Sequence, residues 1–300
     1  MAWREYVDLR IVRDDGAELR MSDRQGQGWF LPSGSLDGFA ELDLTVDSYK
    51  NVLTDGSSLV AKRAEAKDRT VDGARWIGPD ADAARARAVS FFNPRHSFEA
   101  HLAYRGRTRW CVGELSGFRC EANNLNSPPE LNFTLLCLDP HMRDERRHDE
   151  AFGDARPMFG FPYVSHMPST RWAVGAPASV RVYDGKNTVF NAGDLPTYYK
   201  IRCEFSGEVK NPVFTKDGKK LGVADVFLPG DVLEVDFDAA PPKVEKNGAN
   251  AIKTCTRDSS FTGMVMQVGE NVFDYTCDDP GNRRGYMRVV VSWHDKYLGI

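Results

Sequence analysis

The sequence has no apolar run approaching the roughly 20 residues that a membrane-spanning helix needs. Its opening stretch, MAWREYVDLR, carries charges where a secretory signal would need an apolar core. Both absences point to a chain made in the cytoplasm and not inserted in a membrane. No Cys-x-x-Cys pair occurs: Cys111, Cys120, Cys137, Cys203, Cys255 and Cys277 stand singly. Metal centres and disulfide frameworks need closely spaced or paired cysteines, so these thiols read as small buried hydrophobes. Cys137 with His141 is the nearest approach to a ligand pair, and no further ligands can be named for it. HExxH, a Gly-rich phosphate loop and a nucleophile motif are all missing. A net charge of -4, from 39 basic and 43 acidic residues, exerts no general pull toward nucleic acid or an anionic surface. Neither an enzyme nor a cofactor is expected.

What is present is an ordinary globular composition, 41% hydrophobic and 27% charged, over 300 residues, enough for two compact domains. One stretch has helical spacing. In PDADAARARAVSFFNP, Pro79 to Pro94, Ala81, Ala84, Ala88, Phe91 and Phe92 share one side, while Arg85 and Arg87 point elsewhere to solvent or a neighbour. Asp80 is placed to cap the start, Asp82 complements the helix dipole, and Asn93 and Pro94 end it. The small alanine face predicts close packing across a sheet. Phe91 and Phe92 are the candidates for the core of this domain.

The remainder alternates at strand period. YVDLRIV and AELRM flank an Asp14-Asp15-Gly16 turn, and ELDLTVD places Leu42, Leu44 and Val46 on one face of a small meander. Ser48 to Val71 is polar and long, and two readings compete: a surface loop, favoured by composition, or an arm ordered on a neighbouring subunit. Further strands, SFEAHLAY, TRWCVGELSG and LNFTLLCLD, make residues 1–150 an α+β domain dominated by antiparallel sheet. Residues 151–170 lose periodicity and read as a linker. Residues 171–300 hold nine short apolar or alternating runs separated by turn dipeptides such as Asp217-Gly218 and Asn247-Gly248, which predicts a two-sheet sandwich. The fold class is therefore mainly β.

Two long stretches are specific enough to name a family. LTDGSSLVAKRAEAKDRTVDGARWIGPDADAARARAVSFFNPRHSFEAHLAYRGRTRW, closing at LLCLDP, resembles the distal tail proteins of long-tailed phages. NAGDLPTYYKIRCEFSGEVKNPVFTKDGKKL, LPGDVLEVDF, KNGAN, VGENVFDY and VVVSWHDKYLGI are similar, in order, to that family's C-terminal domain. The resemblance implies a homo-hexameric ring at the end of the tail tube, closed by N-terminal domains. It also implies outward-facing, galectin-like C-terminal domains that hold baseplate, fibre or receptor-binding parts. Tail tube protein and a tail-tip hub protein would be partners, and the location would be the virion. The family's long β arm matches Ser48 to Val71 in position and shifts the reading to the inter-subunit one, with Leu53, Leu59, Lys62 and Arg63 as contact candidates. Some relatives carry inserted sugar-binding modules, and no loop after Thr170 is long enough for one.

Sharper chemistry has a plainer reading at each site. Glu234, Asp236 and Asp238 alternate with Val235 and Phe237 as an exposed strand face does, and Asp278 with Asp279 precedes a Pro-Gly turn. Sugar binding is the main alternative function, with Trp172, Tyr198, Tyr199 and Trp293 as possible stacking rings. Aromatic residues on sheets, however, more often pack in cores. The arginines at 63, 69, 75, 85, 87, 105, 107 and 109 are interspersed with acids and lack interleaved aromatics, so sequence-specific nucleic-acid binding is not expected.

Overall fold

The structure is a computed structural model describing residues 6–50, 55–121, 127–152, 154–157, 179–182, 187–279 and 283–300. It divides into two units, one of Met1–Glu145 with Lys296–Ile300 and one of Arg146–Asp295. Both are built almost wholly of strands, so the chain is mainly β, with a single α-helix among the described residues.

In the first unit the strands are β1 (Asp8–Arg13), β2 (Glu18–Ser22), β3 (Gly28–Phe30), β4 (Leu36–Asp37), β5 (Leu44–Lys50), β6 (Ser57–Ala64) and β7 (Lys67–Ile77). Helix α1 (Ala81–Phe91) follows, then β8 (Ser97–Tyr104), β9 (Arg107–Glu121), β10 (Glu130–Cys137) and β11 (Met142–Asp144). The main sheet runs β10-β7-β3-β2-β1-β8-β9, and β10 also pairs with β9, so its two ends meet and the sheet closes on itself. Closure removes the open edges that an antiparallel sheet would otherwise expose. Strict alternation fills the inside: β10 buries Leu131, Phe133, Leu135 and Cys137 and leaves the residues between them half-buried. The C-terminal strand Lys296–Tyr297 adds to β11.

Helix α1 lies against β7 and β9. Ala84, Ala88 and Phe91 form its buried face, and Phe92 follows as the C-cap. The ring of Phe92 lies 5.0 Å from Phe91, 5.6 Å from Phe98, 5.2 Å from Phe118 and 4.5 Å from Phe133, so it joins the helix end to β8, β9 and β10. Two local expectations need correction. Asp80 is in the left-handed conformation, φ 59°, and makes no side-chain cap bond. Side-chain capping requires an extended N-cap residue; here the Asp80 carbonyl alone begins the ladder, accepting from Ala84 N at 3.0 Å. Arg85 and Arg87, though exposed, also reach back onto their own unit. Arg85 donates to the Cys120 carbonyl at 3.2 Å, and the Arg87 guanidinium stands 5.8 Å from the Trp76 ring.

The second unit begins with β12 (His148–Phe152), β13 (Asp154–Pro157), β14 (Ser179–Val182), β15 (Asn187–Asn191) and β16 (Tyr199–Phe205). It continues with β17 (Val209–Lys210), β18 (Val213–Lys216), β19 (Lys219–Gly222), β20 (Val226–Phe227) and β21 (Val232–Asp236). The last strands are β22 (Lys243–Lys246), β23 (Ala249–Asn250), β24 (Gly269–Thr276) and β25 (Met287–Trp293). A six-stranded sheet, β12-β25-β16-β21-β22-β23, and a four-stranded sheet, β15-β24-β18-β19, share one core. Tyr199, Ile201, Cys203 and Phe205 of β16 point into it with Phe214, Phe273 and Tyr275 of the other sheet. The intervening residues of β16 form a ladder of opposite charges. Lys200 sits opposite Asp236, Arg202 opposite Glu234, and Glu204 opposite Arg288, each in an ion pair.

Candidate functional site

The feature of the first unit that its own core does not explain is the ribbon formed by β5 and β6. Among the described residues these two strands pair only with each other. Their register runs from Leu44 opposite Ala64, through Val46 opposite Lys62, to Lys50 opposite Ser57, with a bulge near Asp47. The alternation of ELDLTVD is real, but its position is not the half-buried meander expected of it. Leu44 is 68% exposed and Val46 56%. Alternation shows that a strand has an apolar face and is silent on what covers it.

Leu59 opposes Ser48, so Leu44, Val46 and Leu59 share one face by register. Tyr49 and Val60 are exposed as well. Of the contact candidates taken from the sequence, Leu59, Lys62 and Arg63 all lie on β6 and all are exposed. Leu53 lies outside the described residues. Leu44, Val46, Tyr49 and Val60 belong to the same ribbon and were missed, because their spacing matches that of a core strand. A signal did exist: the stretch from Ser48 to Val71 holds only scattered large apolar residues, too few to cover a second apolar strand.

The base of the ribbon is fixed. Lys67, at the start of β7, is buried and its ammonium reaches Asp43 at 3.0 Å and Glu41 at 3.6 Å, while Glu65 N donates to the Asp43 carbonyl at 2.9 Å. The hydrogen bond that Lys67 donates to Asp43 holds the pKa of its ammonium above the ordinary value. Directly after β4, Gly38 has φ 75° and packs on the backbone of β7, where a Cβ would fall 2.2 Å from the Asp68 carbonyl oxygen. Thus the ribbon projects from an anchored root. An isolated two-stranded hairpin is marginal in water; one with an apolar face and two unpaired edges is suited to packing against, or adding strands to, another surface.

Other sites singled out by the sequence come apart in the structure. Tyr199 and Trp293 are buried in the second core, leaving Tyr198 half-exposed, and Trp172 lies outside the described residues. No set of these rings forms a platform among the described residues. Glu234 and Asp236 serve the charge ladder, and Asp236 Oδ1 also accepts from Asp238 N at 2.9 Å. Asp278 accepts from Asn211 Nδ2 at 2.6 Å. The Cys137 and His141 pair is not formed: His141 Nδ1 contacts Asp139 at 2.8 Å and Cys137 lies next to another cysteine. An open groove of about 670 Å³ beside β1 and β2 is lined by Arg10, Arg20, His101 and Glu145. Its charges are paired internally, Arg10 with Glu18 and Glu145 and Arg20 with Glu18.

Residues 192–297 match the family model described as siphovirus-type tail component, C-terminal domain. No curated protein sequence matches the chain. Among solved structures, the Dit protein of phage SPP1, described as a paradigm of the hub adsorption apparatus in phages infecting Gram-positive bacteria, superposes with a TM-score of 0.64 at 12% identity. That match covers 97% of this chain and 99% of the other. The phage P2 baseplate in its activated conformation with calcium gives a TM-score of 0.56 at 8% identity, covering 98% and 99%, and the strontium form gives 0.55 at the same identity and coverage. Residues 192–297 are thus similar to the C-terminal domain of siphovirus-type tail components, and nearly the whole chain has the fold of the SPP1 Dit protein and of a protein of the phage P2 baseplate.

Proposed function

We propose that the chain is a structural subunit of a phage tail tip. Six copies form a ring that joins the tail tube to the tip or baseplate and its receptor-binding parts. The observation that carries this reading is the β5–β6 ribbon, which exposes Leu44, Val46, Tyr49, Leu59 and Val60 and has no core of its own. Burying such side chains contributes about 1.5–3 kcal/mol each. In the ring the ribbon lies on the adjacent copy. A contact of this head-to-tail kind repeats and closes when the rotation per subunit is one-sixth of a turn.

The first unit supplies ring closure and contact with the tube, and the second, a galectin-like sandwich in this reading, supplies a β surface for adaptor or fibre proteins. The role is geometrical and requires no cofactor or catalysis. Subunits are made in the host cytoplasm and end in the virion. Sugar contact by the second unit is the weaker reading, since two of its candidate stacking rings, Tyr199 and Trp293, are buried in the core.

The test replaces residues 44–64 with a short Gly-Ser link. It leaves Lys67 in place, because that residue belongs to the root of β7. Tails assembled with the variant are imaged. Missing tip rings, with the subunit still folded, support the proposal; normal rings reduce the ribbon to a surface loop. Free subunits in solution do not decide the point, because ring closure can depend on the tube as template.

A further inference from the structure

Cys111 sits on β9 and Cys137 ends β10, and their sulfurs lie 3.7 Å apart in the core of the first unit. The approach is diagonal. The β9–β10 register ends with Leu136 opposite Glu114, next to Gly113. Gly113 has no side chain, and a Cβ there would fall 3.1 Å from Cys137 Sγ and 2.9 Å from Leu135 Cβ. The missing methyl is the space through which Cys137 reaches Cys111.

A third group meets the pair. Arg69 of β7 is 1% exposed, and its guanidinium donates to the Pro140 carbonyl at 2.7 Å and the Gly38 carbonyl at 3.4 Å, and lies 3.8 Å from Cys137 Sγ. It forms no ion pair with a carboxylate among the described residues. A buried cation is costly without a counter-charge, and the ionisable groups beside it are the two thiols. A thiolate on one of them, with the other keeping its proton, would supply that charge.

We infer that Cys111 and Cys137 form a two-electron oxidation site, which hydrogen peroxide converts to an intramolecular disulfide stapling β9 to β10. The bond donated by Cys137 draws the Cys111 thiol below its ordinary value despite burial, with the Arg69 charge adding to it, while Cys137, which keeps the proton, is pushed up. With hydrogen peroxide, the Cys111 thiolate attacks one oxygen and the O–O bond breaks, giving a sulfenic acid and hydroxide, which is protonated to water. The Cys137 sulfur then attacks the Cys111 sulfur; the S–S bond forms, the S–O bond breaks, and the hydroxyl leaves with the Cys137 proton as a second water. The two sulfurs together lose two electrons and the one proton of the pair, and the peroxide takes these with one proton from solvent to become two waters. Closing 3.7 Å to a bond of about 2.05 Å asks for a sulfur movement of roughly 1.6 Å.

This site does not depend on the ring. The full-length native chain is treated with hydrogen peroxide, remaining thiols are alkylated after unfolding, and non-reduced peptides are mapped by mass spectrometry. The Cys111–Cys137 link is expected to form while Cys203, whose thiol burial pushes well up, is still fully alkylatable. The rate is expected to rise with pH about a midpoint below the ordinary thiol value of about 8.5. A Cys111→Ser chain, nearly isosteric, should give no link at Cys137. The inference is overturned if both cysteines stay reduced as long as Cys203, if each is capped singly, or if the midpoint is that of an ordinary thiol.

Discussion

Phe92 is 3% exposed and meets four other phenylalanine rings, so its loss is felt by three strands and the helix together. Truncating a buried Phe costs about 3–5 kcal/mol. Phe92→Ala is expected to destabilise the first unit by that amount, read from denaturant unfolding by fluorescence or circular dichroism. Asp139 makes a second residue-scale prediction. Burial alone would raise its carboxyl, but the bond from His141 and the Lys296 ammonium at 2.8 Å outweigh it and hold the group well below the carboxylate range. Because the folded value is depressed, the stabilisation is complete above the unfolded value of about 3.9 and is lost as pH falls toward the folded value. The Asp139 side chain is 38% exposed, so solvent screening limits the contribution to below about 1 kcal/mol. In acid titrations of unfolding, Asp139→Asn should remove that part of the slope below about pH 4. At this scale the sequence indicated which residue types would be buried, through spacing. It could not indicate that Asp80 would enter the helix left-handed, since that follows from the turn out of β7.

Among elements, the strands carry their own evidence. Large apolar or aromatic residues and cysteine recur at every second place in β10 and β16, and those places are inside. The polar residues between them on β16 line up as ion pairs with β21 and β25, which no single strand reveals. The ribbon shows the limit of such reading. ELDLTVD has the pattern of a core strand, yet Leu44 and Val46 are left exposed, because coverage is a property of tertiary or quaternary packing and not of period. The consequence can be checked. Leu44→Ser, Val46→Ser and Leu59→Ser together should change the unfolding free energy of the isolated chain by no more than about 0.5 kcal/mol per site, as exposed positions do. The same triple variant should fail to form rings in assembled tails. A large loss of stability in the isolated chain would mean that the ribbon is part of the core after all.

For the whole molecule, composition and the absence of apolar runs bounded the answer to a chain of mainly β domains, and the turn dipeptides marked the strand ends of the second unit. Two features were beyond reach. Closure of the first sheet rests on β10 pairing with both β7 and β9, a long-range fact with no local mark. The membership of Lys296–Ile300 in the first unit rests on two paired residues, the Lys296–Asp139 contact, Arg109 over the Tyr297 ring and Ile300 against the first core, too little sequence to announce itself. In the proposed ring, the working part of the chain is a surface it leaves uncovered for its own copies. The most direct measurement is averaged electron-microscope density of purified tail tips containing this chain, at a resolution that traces strands. The expected density is a six-fold ring in which residues 44–64 of each copy lie against the next, covering Leu44, Val46 and Leu59. A ring whose ribbons point into solvent, or a tip in which the chain is present without a ring, would contradict the proposal.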